Sequence, residues 1–397
     1  MNISLIESRL NYLHKAVLFS LIISYIFYSC EYGKSTEGDI QDYQIQEIHF
    51  SIDSTISKES NTIQYFEAEN NRYLIVFNKP TNEIIWYDFD KGTLDKKTKL
   101  YTQGPNNIGK PYGIHIKSMD SIFVLSSATY NLALINREGE LLQNYKLFQG
   151  ELDFTGRPKG ADNSIKPILQ STNPLLILSD SIVALAGLPD VNPLNTDFYD
   201  SKVYIKLNLN SGSIDYQIPY PKRYQGKLWG LYHSFPYHTY NSNTGKAVIS
   251  FPASKKVYLT DFQEIDSISV PSQNVEEPAY WKDPEANGFK MMKFFISTPS
   301  FYRIEYDPYR KLYYRFSQSP SSADLSKVDI SQISVFNSKN TYISILDEDF
   351  NLLQELPLPK KYDPRFILIA PNGLFIVKEN QNEDRLTFAV FNFKNED

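Results

Sequence analysis

The chain has 397 residues, of which 42% are hydrophobic and 22% charged, with a formal net charge of −6. These are globular proportions, and they exclude a wholly disordered chain, a coiled coil and a polytopic membrane protein. The excess of 46 Asp and Glu over 40 Lys and Arg argues against nucleic-acid binding through neutralised phosphates.

The first predicted element is Ala16–Ser29, fourteen residues without a charge, lying behind Arg9 and Lys15. A membrane-crossing helix needs about 20 apolar residues, so the run is short for a span and suits the apolar region of a secretory signal. Cys30 follows the small residue Ser29 and is the only cysteine in the chain. This arrangement resembles a bacterial lipobox, although Phe27 and Tyr28 depart from its usual Leu-Ala/Ser-Gly/Ala pattern. The resemblance implies cleavage before Cys30, a diacylglycerol on its thiol and palmitate as a further lipid of the anchor; an uncleaved anchor or a buried N-terminal helix is the alternative. The expected organisation is a signal peptide over 1–29, lipid attachment at Cys30, a polar tether over 30–43 and a single domain over 44–397. Without a second cysteine there is no disulfide framework, so the body must stand on its own core.

Downstream of Gln44 no sustained helical periodicity is present. Short runs of Val, Ile, Leu, Tyr and Phe are instead bounded by Asn, Asp, Gly and Pro, which are strand and turn signals. One kind of segment, a turn followed by a compact apolar strand, recurs with centres near Ile75, Phe123, Val183, Val248, Tyr313 and Phe375. Each is followed by a hairpin with Asp or Asn before a polar turn, as in IIWYDFDKGTL and YIKLNLNSGSI. A period of roughly sixty residues points to repeated supersecondary units, and a hairpin of this kind joins the outer strands of a propeller blade. The predicted fold is all-β, a six-bladed β-propeller. The last unit runs out of chain after Phe393, and QIQEIHFSIDSTI (44–56) can supply its missing strand and close the ring. Two stacked β domains or a β-sandwich is the competing architecture. A seventh blade is possible between Thr260 and Phe301, but the segment NVEEPAYWKDPEANGFKMMKFF there reads as an insertion with a short helix. A second insertion, SSADLSKVDIS (321–331), reads as a helical turn capped by Ser322 or Asp324.

The lipobox at Cys30 and the six repeats resemble the propeller lipoproteins of Bacteroidota, which include a family known as a domain of unknown function. The segment YRIEYDPYRKLYYRF, Tyr302 to Phe316, is the most specific-looking part of the resemblance. It implies a bacterial cell-envelope location, with the outer membrane as the expected membrane, and no established activity.

No nucleotide-binding loop, GxSxG, HExxH, CxxC pair or dinucleotide fingerprint is present. Propeller sites are assembled from one loop per blade, so the informative segments are those leading into the innermost strands: 104–116, 159–174, 226–240, 297–306 and 360–366. Their aromatic and basic side chains suit stacking on sugar rings or gripping a peptide carboxylate or another anion. The candidate rim residues are Lys110, Tyr112, Lys166, Trp229, Tyr232, His233, His238, Tyr302, Arg303 and Arg365, with packing between blades as the alternative role for each. His233 and His238 with His115 could hold a metal if their loops met, while His49 falls in the closing strand. Asn106, Asn107, Asp162 and Asn163 could serve a calcium site but are explained more simply by turns. No cofactor or metal is expected. The tripeptide Asp-Ser-Ile at 120–122, 180–182 and 266–268, with Asp53-Ser54-Thr55 similar to it, resembles O-glycosylation acceptors and also reads as a turn into a strand. The expected function is a lipid-anchored binding module for a protein, peptide or glycan of the envelope. The alternative is a metal-dependent propeller hydrolase or lyase.

Overall fold

The structure is a computed structural model that describes residues 40–393 except 53–54, 57–59, 61, 69, 127, 152, 154–158, 160–163, 284–286, 323–337 and 380–383. The lipobox and the insertion turn beyond 322 lie outside the described residues. Tyr43–Asp397 is one compact unit.

Its strands form six antiparallel sheets. After strand β1 (Gln44–Ser51), blade 1 comprises β2 (Ile63–Ala68), β3 (Asn71–Asn78), β4 (Glu83–Asp88) and β5 (Thr93–Lys99). Blade 2 comprises β6 (Gly113–Ser118), β7 (Ser121–Ser126), β8 (Asn131–Ile135) and β9 (Leu141–Lys146). In blade 3 the inner strand is split into β10 (Ile165–Pro167) and β11 (Leu176–Ile177), followed by β12 (Ile182–Pro189), β13 (Lys202–Asn208) and β14 (Ile214–Pro219). Blade 4 comprises β15 (Tyr237–Asn241), β16 (Lys246–Ser250), β17 (Lys256–Thr260) and β18 (Ile265–Ser269). Blade 5 comprises β19 (Ser300–Asp307), β20 (Leu312–Ser319), β21 (Asn340–Leu346) and β22 (Leu352–Leu358). Blade 6 comprises β23 (Tyr362–Ala370), β24 (Gly373–Lys378) and β25 (Arg385–Phe391), and its fourth strand is β1. The predicted closure is therefore present, with Glu47 opposite Ala389 and Phe50 opposite Leu386.

The second strand of each blade reads as a continuous apolar run because both of its faces are covered. In β3, Leu74 and Val76 belong to the core shared with blade 6, whereas Tyr73, Ile75 and Phe77 belong to the core shared with blade 2. Successive side chains on a strand point to opposite faces, so one strand serves two blade interfaces. The outermost strands have no neighbour on one side, and β18 is exposed along its whole length.

The third and fourth strands of blades 1 to 5 are joined by the predicted Asx turns. The side-chain oxygens of Asp88, Asn136, Asn208, Asp261 and Asp347 each accept hydrogen bonds from two backbone N–H groups of the turn. A short polar side chain that caps its own turn in this way explains the recurrent Asp or Asn. The blade 1 turn ends at Gly92, whose φ is +65° and whose missing Cβ would lie 2.3 Å from His49 O on β1. Only glycine lets this turn rest on the closing strand.

Between blades 4 and 5 lies helix α1 (Gly288–Ser297), N-capped by Asn287, whose Oδ1 accepts from Lys290 N at 2.9 Å. This is the short helix expected in that insertion. Six sheets are present among the described residues, and the interval from Thr260 to Phe301 adds no blade.

Candidate functional site

The innermost strands of all six blades begin at the same end of the ring, and around their first residues lies a cavity of about 850 Å³. Its lining takes Ser60 and Ile63 from blade 1, Tyr112 from blade 2 and Gln170, Thr172 and Asn173 from blade 3. It continues with Tyr232, Phe235 and Tyr237 from blade 4, Tyr302 from blade 5, and Asp363, Arg365 and Phe366 from blade 6. Every one of the five predicted rim segments contributes. Val76 of blade 1, Ile52 and Ile56 after β1, and Val377–Glu379 and Arg385–Thr387 of blade 6 complete the wall.

Local irregularities deliver these side chains. In β19 the register shifts between Phe301 and Arg303, so Tyr302 is an extra residue that the neighbouring strand does not match. In β23 it shifts between Asp363 and Ile367, which releases Pro364, Arg365 and Phe366 from the ladder. Pro364 has no N–H to give the sheet, and a bulge re-aims the side chains that follow it. In blade 3 the interruption between β10 and β11 is a turn in which Gln170 and Asn173 bridge one another. It begins and ends near Pro167 and Pro174, which cannot donate to a ladder. Gly113 lets its backbone pass: a Cβ there would lie 1.8 Å from Leu169 O.

That blade 3 turn crosses the axis of the ring. Ser171 Oγ donates to Ile63 O at 3.1 Å and accepts from Ile63 N at 2.6 Å, while Ser171 O accepts from Arg303 Nη2 at 3.0 Å. Blades 1, 3 and 5 therefore meet at one point, and the turn forms the floor of the cavity. Arg303 is 2% exposed. Its guanidinium also donates to Pro364 O, Arg365 O and Ile367 O at 3.3, 2.9 and 3.2 Å and to the Glu305 carboxylate. Arg303 thus fixes the bulge that carries Arg365, and burial pushes the Glu305 carboxyl up against the opposing pull of Arg303.

Arg365 is held by the buried Asp363, with Nε donating at 2.9 and 3.1 Å and Nη2 donating at 2.6 Å. The Asp363 bond raises the guanidinium further above its ordinary value, so Arg365 stays charged. Its Cζ lies 5.4 Å from the Phe366 ring centroid. Tyr237 and Tyr302 meet edge to face at 4.9 Å, and burial raises both phenols, Tyr237 with help from Tyr302. Gln170 Nε2 donates to Tyr112 Oη at 2.6 Å, and burial raises that phenol despite the opposing bond. The tyrosines are neutral hydroxyls at physiological pH. Lys378 is paired with Glu47 at 2.5 Å.

Of the ten predicted rim residues, Tyr112, Tyr232, Tyr302 and Arg365 come together in this lining. Lys110 and Lys166 are exposed outside it. Trp229 is 1% exposed and packs against Tyr224 at 5.1 Å, with Nε1 donating to Tyr224 O at 3.3 Å. His233 and His238 are fully buried: one ring nitrogen of each lies against a carbonyl, Pro299 O at 3.0 Å and Pro174 O at 2.7 Å, and His238 Nδ1 faces Tyr204 Oη at 2.9 Å. Trp229, His233, His238 and Arg303 therefore act in packing, because the segments that carry them turn one side inward to the blade interfaces. Phe235, Tyr237 and Phe366 also lie in the predicted segments, but their residue types alone do not mark them; the bulges and the 3₁₀ turn Leu231–His233 decide which side chains face the cavity. Among the described residues no group of three His, Cys, Asp or Glu is placed to hold a metal. Asn106 and Asn107 accept backbone bonds from Leu141 and Gly109, and Asp162 and Asn163 lie outside the described residues. Asp120 and Asp180 sit in turns before β7 and β12, while Asp266–Ile268 lies within β18.

The family described as Domain of unknown function (DUF4221) matches residues 38–357. The chain belongs to the DUF4221 family. A solved DUF4221 structure from Bacteroides vulgatus is 22% identical, with a TM-score of 0.70 over 89% of this chain and 98% of that one. A candidate exported protein of Bacteroides fragilis is 10% identical, with a TM-score of 0.55 over 90% of this chain and 98% of its own. At these identities the likeness is one of fold. No curated protein matches the chain.

Proposed function

We propose that this DUF4221 protein is a binding module of the bacterial cell envelope, anchored through Cys30, that seats part of a protein, peptide or glycan in the cavity at the end of its propeller. The observation that carries the reading is the lining itself. Blades 2, 4 and 6 place half-buried rings, Tyr112, Tyr232, Phe235 and Phe366, around a guanidinium that a buried carboxylate holds in place. A concave site of roughly 300–1,000 Å³ with aromatic walls and a few convergent polar groups is the usual form of a ligand pocket. The lipobox resemblance supports the envelope location.

The test is a screen of immobilised envelope glycans and peptides with the protein and with a Phe235→Ala, Phe366→Ala variant. Phe235 is half-buried and Phe366 packs against the core shared by blades 1 and 6, so thermal unfolding of the variant checks that its blades are kept. Any ligand found is expected to bind the variant at least about tenfold more weakly, the loss of roughly 1.4 kcal/mol of ring contact. Equal binding by both proteins would place the ligand elsewhere and sink the assignment.

A further inference from the structure

We infer that the cavity takes an acidic sugar, its ring faces resting on the half-buried aromatic rings and its carboxylate on Arg365. This rests on the reading of the cavity as a ligand site and narrows it to one chemical class. Arg365 uses Nε and Nη2 on Asp363, while Nη1 has no hydrogen-bond partner among the described residues. Its side chain is 39% exposed and that of Asp363 is 6% exposed. The buried acid therefore fixes the orientation of a guanidinium whose outer edge remains available. A planar fork held in advance is suited to a carboxylate and loses little freedom on binding it.

The rest of the lining agrees on sign. Arg365, Lys378 and Arg385 stand against Asp363 and Glu379, a formal excess of one positive charge on a chain whose net charge is −6. Lys378 is engaged by Glu47, whereas Arg385 is exposed and has no ion pair with a described residue. The hydroxyl of Tyr237, 5% exposed, has no hydrogen-bond partner among the described residues. A purely apolar ligand would leave that hydroxyl and Arg365 Nη1 desolvated without a partner. A small inorganic anion would leave the rings uncovered. A carboxylated pyranose supplies the apolar C–H face, the hydroxyls and the anion together.

A peptide with a free C-terminus shares the carboxylate but also brings backbone N–H donors. The carbonyls near the floor already accept bonds: Ser171, Pro364, Arg365 and Ile367 from Arg303, and Pro236 from Asn173. A sugar hydroxyl can donate to or accept from the Tyr237 hydroxyl, whereas a peptide N–H can only donate to it.

Calorimetric titration of the folded protein with digalacturonic acid, its methyl ester and trialanine tests the inference. The acid is expected to bind, with the ester at least about tenfold weaker, because esterification removes one charge-assisted pair. Arg365→Lys, which keeps a cation beside Asp363 but loses the fork, is expected to weaken the acid about tenfold and leave the ester unchanged. Equal affinity for acid and ester, or unchanged acid binding by Arg365→Lys, overturns the carboxylate assignment. Binding of trialanine without either sugar overturns the sugar class and leaves the cavity reading standing. No binding of any of the three also overturns the class, and the Phe235 and Phe366 variant then decides the cavity reading on its own.

Discussion

Arg303 and Arg365 lie two residues into neighbouring inner-strand irregularities and perform opposite tasks. Arg303 is buried among carbonyls and ties the bulge of blade 6 to the blade 3 turn, while Arg365 stands on that bulge at the cavity wall. Composition and spacing cannot separate the two, because the difference lies in which side of a bulged strand each one leaves. The histidines make the same point with a measurable consequence. Burial lowers His233 from its ordinary value of 6.5 to about 3, with Lys339 adding to the effect, and lowers His238 to about 4. Each is neutral when folded and gains a proton readily when unfolded. Their contribution to stability is therefore complete above pH 6.5 and is lost as pH falls from there towards 4, at about 1.4 kcal/mol per histidine per pH unit. Urea unfolding between pH 7 and 4.5 should show this decline, with a shallower slope in His238→Gln. An identical slope in that variant would remove His238 from the account.

At the scale of the element, β1 carries the ring closure. Phe50 is fully buried and lies 5.7 to 5.9 Å from the rings of Tyr87, Phe89 and Phe388, so one side chain joins β1 to blade 1 and to its own blade. Phe50→Ala is expected to cost about 3–5 kcal/mol of unfolding free energy. Ile45→Ala on the same strand, where the side chain is 53% exposed, should change it by less than about 0.5 kcal/mol. Similar losses from both variants in denaturant titration would contradict a core role for the closing strand. The strands and their Asx turns were legible in the sequence, since apolar runs and Asp or Asn positions follow from local geometry. The bulges of β19 and β23 were not: they appear only when one strand is laid against its partner and residues are left over.

At the scale of the whole molecule, the six repeats account for the ring, and the proposed anchor accounts for where it acts. Cys30 is the only thiol, and the body needs no disulfide because its blades bury apolar faces against one another. Cys30→Ser is expected to move the protein from the membrane to the soluble envelope fraction and to abolish incorporation of a fatty-acid probe. A variant that stays membrane-bound and still labels would refute lipidation at this residue. Four of ten predicted rim residues reached the cavity because the rim itself follows from repeat topology, whereas the facing of each side chain does not.

The sequence by itself determined the number of blades, the strand that closes them and the segments that gather at one end, because each is a matter of periodicity and of which residues can turn or pair. Only the tertiary structure decided that Tyr237, Phe235 and Phe366 line the cavity while Trp229, His233, His238 and Arg303 are packed away. The physical reason is that a side chain's environment at a blade junction depends on residues more than sixty positions distant, such as Ser171 against Ile63 and Arg303, and on single-residue shifts of register that reverse the face on which a residue emerges.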